Sequence, residues 1–253
     1  MKPFILAESN WKTIRDQEFN LAVLPWGATE AHNLHLPFST DNIMVDKIAC
    51  EAAQVAWDKG AKLIVLPAIP FGVNTGQLDI RLNINMNPST QFAILNDIAD
   101  VLNRHNIYKF LILNGHGGND FRQMIRELGV RYPRVFICTC NWYKSFDNSA
   151  FFENDGGHAD EMETSMMQYI APGLTLPLNE AGRGDGRKFR IAAFNEGWAW
   201  AERKWTQVTS DTGIGNPCKA TLEKGEKCFA EVIDKVSNLM IELCGSDINN
   251  MYE

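Results

Sequence analysis

Apolar runs of strand length recur at residues 21–26, 62–69, 109–113 and 135–139, rich in Val, Ile and Leu, and three of them are followed within two residues by Pro or Gly. Runs that do not alternate with polar residues are buried on both faces, as in a parallel sheet. The intervals hold helix-period segments at 41–59, 89–104 and 120–131, with Asp41, Ser89 and Asp120 near their N-terminal ends as candidate caps. A repeated strand-then-helix order predicts a largely parallel sheet with helices on both faces. Ligands of such sheets sit at the carboxyl ends of the strands. Further on, 160–169 reads as a helix and 221–243 as a long closing helix with Phe229, Val232, Ile233, Val236, Leu239 and Met240 on its apolar face. Residues 182–217, rich in Gly and Trp and without periodicity, read as an extended loop region with short strands, its 182–187 stretch as a mobile loop rather than an anion site, and Trp142, Trp198, Trp200 and Trp205 as core or interface aromatics that could instead close a pocket.

No repeat, low-complexity tract or Pro/Ser-rich linker cuts the 253 residues, so residues 1–253 are expected to form a single α/β domain. The net charge of −7 argues against nucleic-acid or anionic-membrane partners and leaves a small-molecule substrate open. The N-terminal stretch MKPFILAESNWKT has no signal-like apolar core, and no apolar run approaches the roughly 20 residues of a membrane span, which leads us to expect a cytoplasmic protein. Six cysteines are scattered without a CxxC pair and read as reduced core thiols, Cys138 and Cys140 sharing one face of a strand.

Three segments carry chemistry, and each follows a predicted strand or opens a predicted helix. Glu30-Ala31-His32-Asn33-Leu34-His35-Leu36-Pro37, with Asp41 just behind, places imidazole and carboxylate donors in one loop. That mixture suits Zn, Mn or Fe better than Mg or Ca. Asn114-Gly115-His116-Gly117-Gly118-Asn119 exposes an imidazole at a strand end between flexible glycines. Such a histidine could also be a turn residue, or the glycines a phosphate cradle, although no Walker lysine or GxGxxG spacing accompanies them. In Gly156-Gly157-His158-Ala159-Asp160-Glu161-Met162-Glu163-Thr164-Ser165, Asp160 and Glu161 read as a solvated acidic first turn. His158 and Glu163 are left as a ligand and a general acid or base, meeting only if His158 lies in the bent entry to the helix. Asn74-Thr75-Gly76, after the second strand, is placed to line a pocket, and His105 reads as a surface residue at a helix end.

GATEAHNLHLP with STD behind it, NGHGGN and GHADEMETS together resemble the signature segments of the creatininase (creatinine amidohydrolase) superfamily: G-(S/A)-x-E-x-H-G-x-H-L-P-x-x-x-D, N-G-H-x-x-N and H-A-x-x-x-E-T-S. The resemblance runs in the right order over nearly the whole chain. It implies a three-layer αβα sandwich, commonly a homohexamer, with a binuclear Zn or Mn site, Fe being compatible. It places Glu30, His32, Asp41 and His116 at metal-ligand positions, Asp41 bridging two divalent ions, and His158 at a catalytic position. Creatininase itself has a further glutamate ligand where this chain has Gly118, and Glu163 is expected to replace it. It also has a tryptophan shortly before its last histidine motif, where Phe151-Phe152-Glu153-Asn154-Asp155 has none. His35 reads as support for the metal site, as a substrate contact or as plain loop structure. The late Asp211-Thr212-Gly213-Ile214-Gly215-Asn216-Pro217 is similar to a segment near the family's active site, in the same or a neighbouring chain.

The expected activity is metal-assisted hydrolysis of a non-peptide C–N bond, in a cyclic amide or formamide, with His158 giving its proton to the departing nitrogen and N–H groups near Gly117 and Gly118 facing the oxyanion. Competing readings are a deformylase or peptide-trimming enzyme of a cofactor pathway, a catalytically silent metal-binding homologue, and a nucleotide-binding module built on the NGHGGN loop.

Overall fold

A computed structural model describes residues 2–154 and 156–253, so Asp155, the last residue of the 151–155 segment, lies outside them. Strands β1 (Leu21–Trp26), β2 (Leu63–Val65), β3 (Lys109–Asn114) and β4 (Phe136–Asn141) form one sheet in the order β2-β1-β3-β4, parallel throughout. The helices are α1 (Trp11–Ile14), α2 (Thr40–Asp58), α3 (Pro88–Arg104), α4 (Arg122–Arg131), α5 (Glu161–Ile170), α6 (Ala192–Asn195), α7 (Trp205–Val208) and α8 (Leu222–Gly245).

Side-chain alternation along the strands divides the core into two layers. Leu21, Val23, Leu63, Val65, Leu111 and Leu113 pack with Met44, Val45 and Ile48 of α2, Met166 of α5 and Val232, Val236 and Met240 of α8. On the opposite face, Ala22, Leu24, Trp26, Ile64, Phe110 and Ile112 meet Leu95, Ala99 and Leu102 of α3 and Met124 and Leu128 of α4. The architecture is therefore the expected αβα sandwich. At about 1.5–3 kcal/mol for each fully buried aliphatic side chain, both layers are needed to offset chain entropy.

Chain order then fixes where a ligand can bind. From β1 the chain crosses to β2 on one side, and β3 returns to the other side of β1, leaving a crevice between the carboxyl ends of β1 and β3. These ends are in register, Trp26 opposite Asn114. The segments carrying Glu30 and His116 leave the sheet there side by side.

Several local expectations are corrected. The second strand is shorter than 62–69: it ends at Val65, two residues before Pro67, which has no N–H to give, and after Leu66 N–H donates to Val23 O at 2.8 Å the chain rejoins β1 at Ile69, whose N–H donates to Pro25 O and whose carbonyl accepts from Gly27 N–H, both at 3.0 Å. Asp41 does not cap α2. Ser39 occupies that position without a side-chain bond, and Asp41 lies inside the first turn with its carboxylate turned into the crevice. Asp160 does cap α5, accepting from the Glu163 N–H at 3.1 Å, and Thr221 caps α8. Asp160 and Glu161 are not solvated: both are buried, and Glu161 accepts from the Asn154 N–H at 2.9 Å and from Lys224 Nζ at 2.5 Å. The 182–217 region has no strand among its described residues, only turns and the short α6 and α7. Its 182–187 loop is held down rather than free, Gly182 N–H donating to Asn33 Oδ1 at 2.7 Å and Gly184 N–H to Asp211 Oδ2 at 3.0 Å. Cys218 is exposed, unlike the other five thiols, and all six are free. His105 lies on the surface at the end of α3, as its sequence context indicates.

The α5–α8 contact depends on Gly225, where an added Cβ would stand 1.9 Å from the Ser165 carbonyl oxygen. In an open helix Gly→Ala gains about 1 kcal/mol from helix propensity. Here the overlap is with backbone that cannot rotate away, so Gly225→Ala should cost a net 1–3 kcal/mol, roughly, in urea unfolding. A stabilised variant would show that the two helices can separate freely.

Candidate metal centre and substrate pocket

Glu30, His32, Asp41, His116, His158 and Glu163 converge at the crevice, all buried. The loop after β1 supplies Glu30 and His32, the first turn of α2 supplies Asp41, the loop after β3 supplies His116, and the entry and first turn of α5 supply His158 and Glu163. Their donor atoms form three groups, each within 4.8 Å: Glu30, Asp41 and His116; His32, Asp41 and Glu163; and Glu30, His32 and His158. Asp41 joins the first two. Its Oδ2 is 3.0 Å from His116 Nδ1, and its Oδ1 is 3.1 Å from His32 Nε2. Glu30 Oε1 is 2.9 Å from His116 Nδ1 and 3.8 Å from His158 Nδ1, and Glu163 Oε2 is 3.8 Å from His32 Nε2.

The outer nitrogens of the three imidazoles all meet backbone carbonyls. His116 Nε2 faces Val73 O at 3.0 Å, His32 Nδ1 faces Glu30 O at 3.1 Å and His158 Nε2 faces Ala31 O at 3.0 Å. A carbonyl only accepts, so each outer nitrogen carries a hydrogen, and in the neutral ring the inner nitrogen is a bare lone pair. Lone pairs directed at carboxylate oxygens repel unless a proton or a cation lies between them. Without a metal, protons do this work. Burial alone would lower the His32 pKa, but Asp41, Glu163 and Glu30 raise it to about 10, and against the same burial Glu30 and Asp41 raise His116 well above its usual value. Burial would likewise lift Glu30, yet the surrounding imidazoles hold it below the ordinary carboxylate range. Burial lifts Glu163 to about 8, helped by Asp41 and Asp160 against the pull of His32, and burial lowers His158. The donor set therefore fits divalent Zn or Mn: mixed imidazole and carboxylate, oriented by hydrogen bonds from behind, with spacings near the roughly 3.4 Å edge of a tetrahedron of 2.0–2.1 Å bonds.

Close backbone approaches hold this arrangement. A Cβ on Gly118 would stand 2.3 Å from Val73 O and 2.5 Å from His116 Nε2, where the bond that orients His116 is made. Asn33 takes a left-handed backbone, φ 54°, a conformation asparagine tolerates, and its Oδ1 also receives the Leu34 N–H at 2.7 Å. His35 stays outside the donor groups. Its Nε2 lies 2.9 Å from Thr164 Oγ1, so it buttresses α5 behind Glu163.

Above the donors opens a cavity of about 730 Å³. Asn74 lines one wall beside Gly76 and Gln77, and Gly117 and Gly118 line another. Gln77 and Arg203 were not evident from sequence, whereas Trp205 is one of the four tryptophans named there as able to close a pocket. Gln77 donates from Nε2 to Glu30 Oε2, and Trp205 meets the His158 ring edge-on, centroids 5.2 Å apart. Arg203 stands at the same wall. Only the spacing behind Asn74 could have pointed to Gln77, and nothing in the sequence joins Trp205 to His158. Trp142 is core, whereas Trp198 and Trp200 are exposed. The 211–217 segment reaches the site of its own chain: His158 and Ile214 exchange backbone bonds at 3.2 and 2.8 Å.

The sequence model of the creatininase (creatinine amidohydrolase) family matches residues 7–240. The chain belongs to the creatininase family. Members of this family are hydrolases. A crystallised Bacteroides fragilis protein, provisionally assigned as a creatinine amidohydrolase, is 41% identical and superposes at a TM-score of 0.92 over 100% of both chains. A glutamate-to-glutamine mutant of creatininase complexed with creatine is 18% identical, with a TM-score of 0.79 over 96% of this chain and 99% of that one, a likeness of fold. Among curated proteins, the mycofactocin precursor peptide peptidase of Mycobacterium tuberculosis (strain CDC 1551 / Oshkosh) is 25% identical over 235 residues, 84% of this chain and 81% of that protein.

Within this creatininase-family site, His35 offers a pH test. Burial, aided by His32, lowers its pKa from 6.5 to about 4. The unfolded chain binds this proton more tightly, so the stability His35 contributes is intact above pH 6.5 and is lost as pH falls toward 4. Glu163 acts with the opposite sign, so the difference between variants is the quantity to measure. In chelated protein, the stability advantage of wild type over His35→Gln should shrink by up to about 1.4 kcal/mol per pH unit below 6.5. A constant difference would mean that His35 is protonated in the folded chain.

Proposed function

We propose that this chain is a metal-dependent amidohydrolase, with Glu30, Asp41 and His116 holding one divalent ion, His32, Asp41 and Glu163 a second, and Asp41 shared between them. The observation that carries the reading is the common orientation of three buried imidazoles, each pinned by a backbone carbonyl and directing its inner nitrogen at shared carboxylates. Zn and Mn fit this donor set, and solved creatininase structures are described as Zn-Zn type and as Mn. Divalent ions held there supply a Lewis acid and lower the pKa of water toward about 7.

The chain's own groups account for binding and proton transfer. Loading the site displaces the protons that His32, His116 and Glu163 hold in the metal-free state, so uptake strengthens with pH. Gln77 fixes the Glu30 carboxylate, and the Ala159 N–H fixes Glu163 Oε2. His158, kept neutral by burial, presents a bare Nδ1 to the cavity. It takes a proton from the attacking water and gives it to the departing nitrogen, and Glu30 steadies the transient imidazolium. Trp205 covers the imidazole and excludes bulk water from one side. Gly117 and Gly118 border the cavity where the carbonyl oxygen gains charge.

Cyclic amides and formamides satisfy this chemistry. A second reading, removal of residues from a short peptide, is favoured by the cavity of about 730 Å³, which has room beyond a single small ring, and by the peptidase name of the curated relatives.

Elemental analysis of protein purified without chelator should find close to two Zn or Mn per chain, and Glu163→Gln should lower this to about one. Unchanged occupancy in the variant removes Glu163 from the ligand set, and a folded wild type without metal overturns the reading. His158→Ala should keep its metal and lose roughly 100-fold or more in kcat against amide substrates. Full turnover in that variant would leave proton transfer to another group.

A further inference from the structure

Arg203 enters the cavity wall from a segment with no regular structure of its own. Its guanidinium carbon lies 4.6 Å above the centre of the Trp205 ring. Among the described residues no carboxylate forms an ion pair with it. The adjacent Glu202 is turned instead to Thr75, accepting from Oγ1 at 2.9 Å. Arg203 is exposed at the cavity wall, so its guanidinium, committed to no carboxylate, is open to a ligand that enters. Burial lowers its pKa, while Glu202 and the more distant Glu30 raise it, so Arg203 lies within the electric field of the metal-binding carboxylates.

The support beneath it is rigid. A Cβ on Gly76 would stand 2.1 Å from the Arg203 carbonyl oxygen, so the segment is pressed against the loop that carries Gln77 to Glu30. Trp205 is fixed by its Nε1, which donates to the Thr212 carbonyl at 3.0 Å, and its ring abuts His158. Arg203 and the imidazole that protonates the departing nitrogen thus contact the same indole. Asn74 Oδ1, on a buried residue that also lines the cavity, has no partner among the described residues and can accept an N–H.

We infer that Arg203 receives a free carboxylate of the substrate, through the fork of a guanidinium stacked on Trp205, so that the amide cleaved here carries that carboxylate on its departing fragment. The substrate class is then an N-acyl amino acid or the carboxyl end of a short peptide, and an uncharged ring amide leaves the subsite unused. Paired, bidentate recognition of this kind is strong because the fork is preorganised by stacking. The inference rests on the hydrolase reading for the position of the scissile bond, and its test is a binding measurement that does not require turnover.

Zinc-loaded protein would be titrated calorimetrically with N-acetyl-alanyl-alanine and with its carboxamide, and the samples then analysed for cleavage. Wild type should bind the free acid roughly tenfold more tightly, and Arg203→Met, which keeps the apolar stem over the indole, should reduce the preference to less than about twofold. Arg203→Lys, keeping charge without the fork, should fall between them and serves as the folded control. Equal binding of acid and amide by wild type, no binding of either, or a preference that survives in Arg203→Met would overturn the inference. The last outcome would assign the carboxylate to the metal. A preference abolished by Arg203→Met without cleavage of either peptide supports the subsite and counts against the hydrolase reading. Cleavage of both with no preference does the reverse.

Discussion

Three carboxylates, Glu30, Asp41 and Glu163, share a buried pocket a few ångströms across, and the arrangement around them answers to the cost of that placement. An isolated buried carboxylate is penalised by several kcal/mol, and carboxylates this close together also repel one another. Compensation must come from positive charge inside the pocket. In the metal-free chain His32 and His116 carry it as imidazolium, and Glu163 gives up its charge by staying protonated. Asp41 is the centre of this balance, because its two oxygens serve two different imidazoles and tie two donor groups into one.

Topology brings the charges together. Reversal of strand order around β1 opens a crevice at the carboxyl ends of β1 and β3, and the two loops leaving these ends deliver Glu30, His32 and His116. The helix on the same face, α2, enters at its first turn with Asp41, and α5 enters likewise with Glu163. The first turn of a helix favours negative charge through its free N–H groups, which offsets part of the expense of burying both carboxylates. The glycine at position 118 belongs to the same design. Close approach of its backbone to Val73 lets His116 be gripped from behind, and no side chain fits there in this conformation. A carboxylate side chain at position 118 has no room here, and Glu163 reaches to 3.8 Å from His32 Nε2 out of the first turn of α5.

Much of this was legible in the sequence because the responsible signals are local. Strands 21–26 and 109–113 and the five long helices follow from periodicity, and the donors stand in three short motifs, each within a single loop. What stayed hidden depends on contacts between distant segments. Acidic residues opening a helix ordinarily face water, and nothing near Glu161 in sequence reveals that Lys224, 63 positions away, neutralises it in the interior. Trp205 and His158 lie on segments whose order along the chain carries no trace of their packing. Residues 182–187 mislead for a related reason: a glycine-rich stretch without periodicity looks mobile, whereas Asn33 and Asp211 hold it in place through hydrogen bonds that its own sequence does not announce.

Chemistry and selectivity are thereby assigned to different parts of the fold. The metal-binding floor is built at strand ends and helix starts, where a small displacement would disturb the core layers on both faces of the sheet. The wall carrying Arg203 and Trp205 has no regular structure beyond the single turn of α7 and does not belong to those layers. Its side chains can therefore change without loss of the floor, and a protein built this way can keep one hydrolytic apparatus while altering the group that flanks the scissile bond. In this chain the wall presents a stacked guanidinium above a floor whose carboxylates are already committed to histidines. The floor's negative charge is already balanced, by imidazolium in the metal-free chain, whereas Arg203 has no such partner and offers an anionic substituent uncompensated positive charge. Electrostatics thus gives an incoming substrate a direction, carboxylate toward the wall and amide toward the donors, before any contact with the reacting atoms is made.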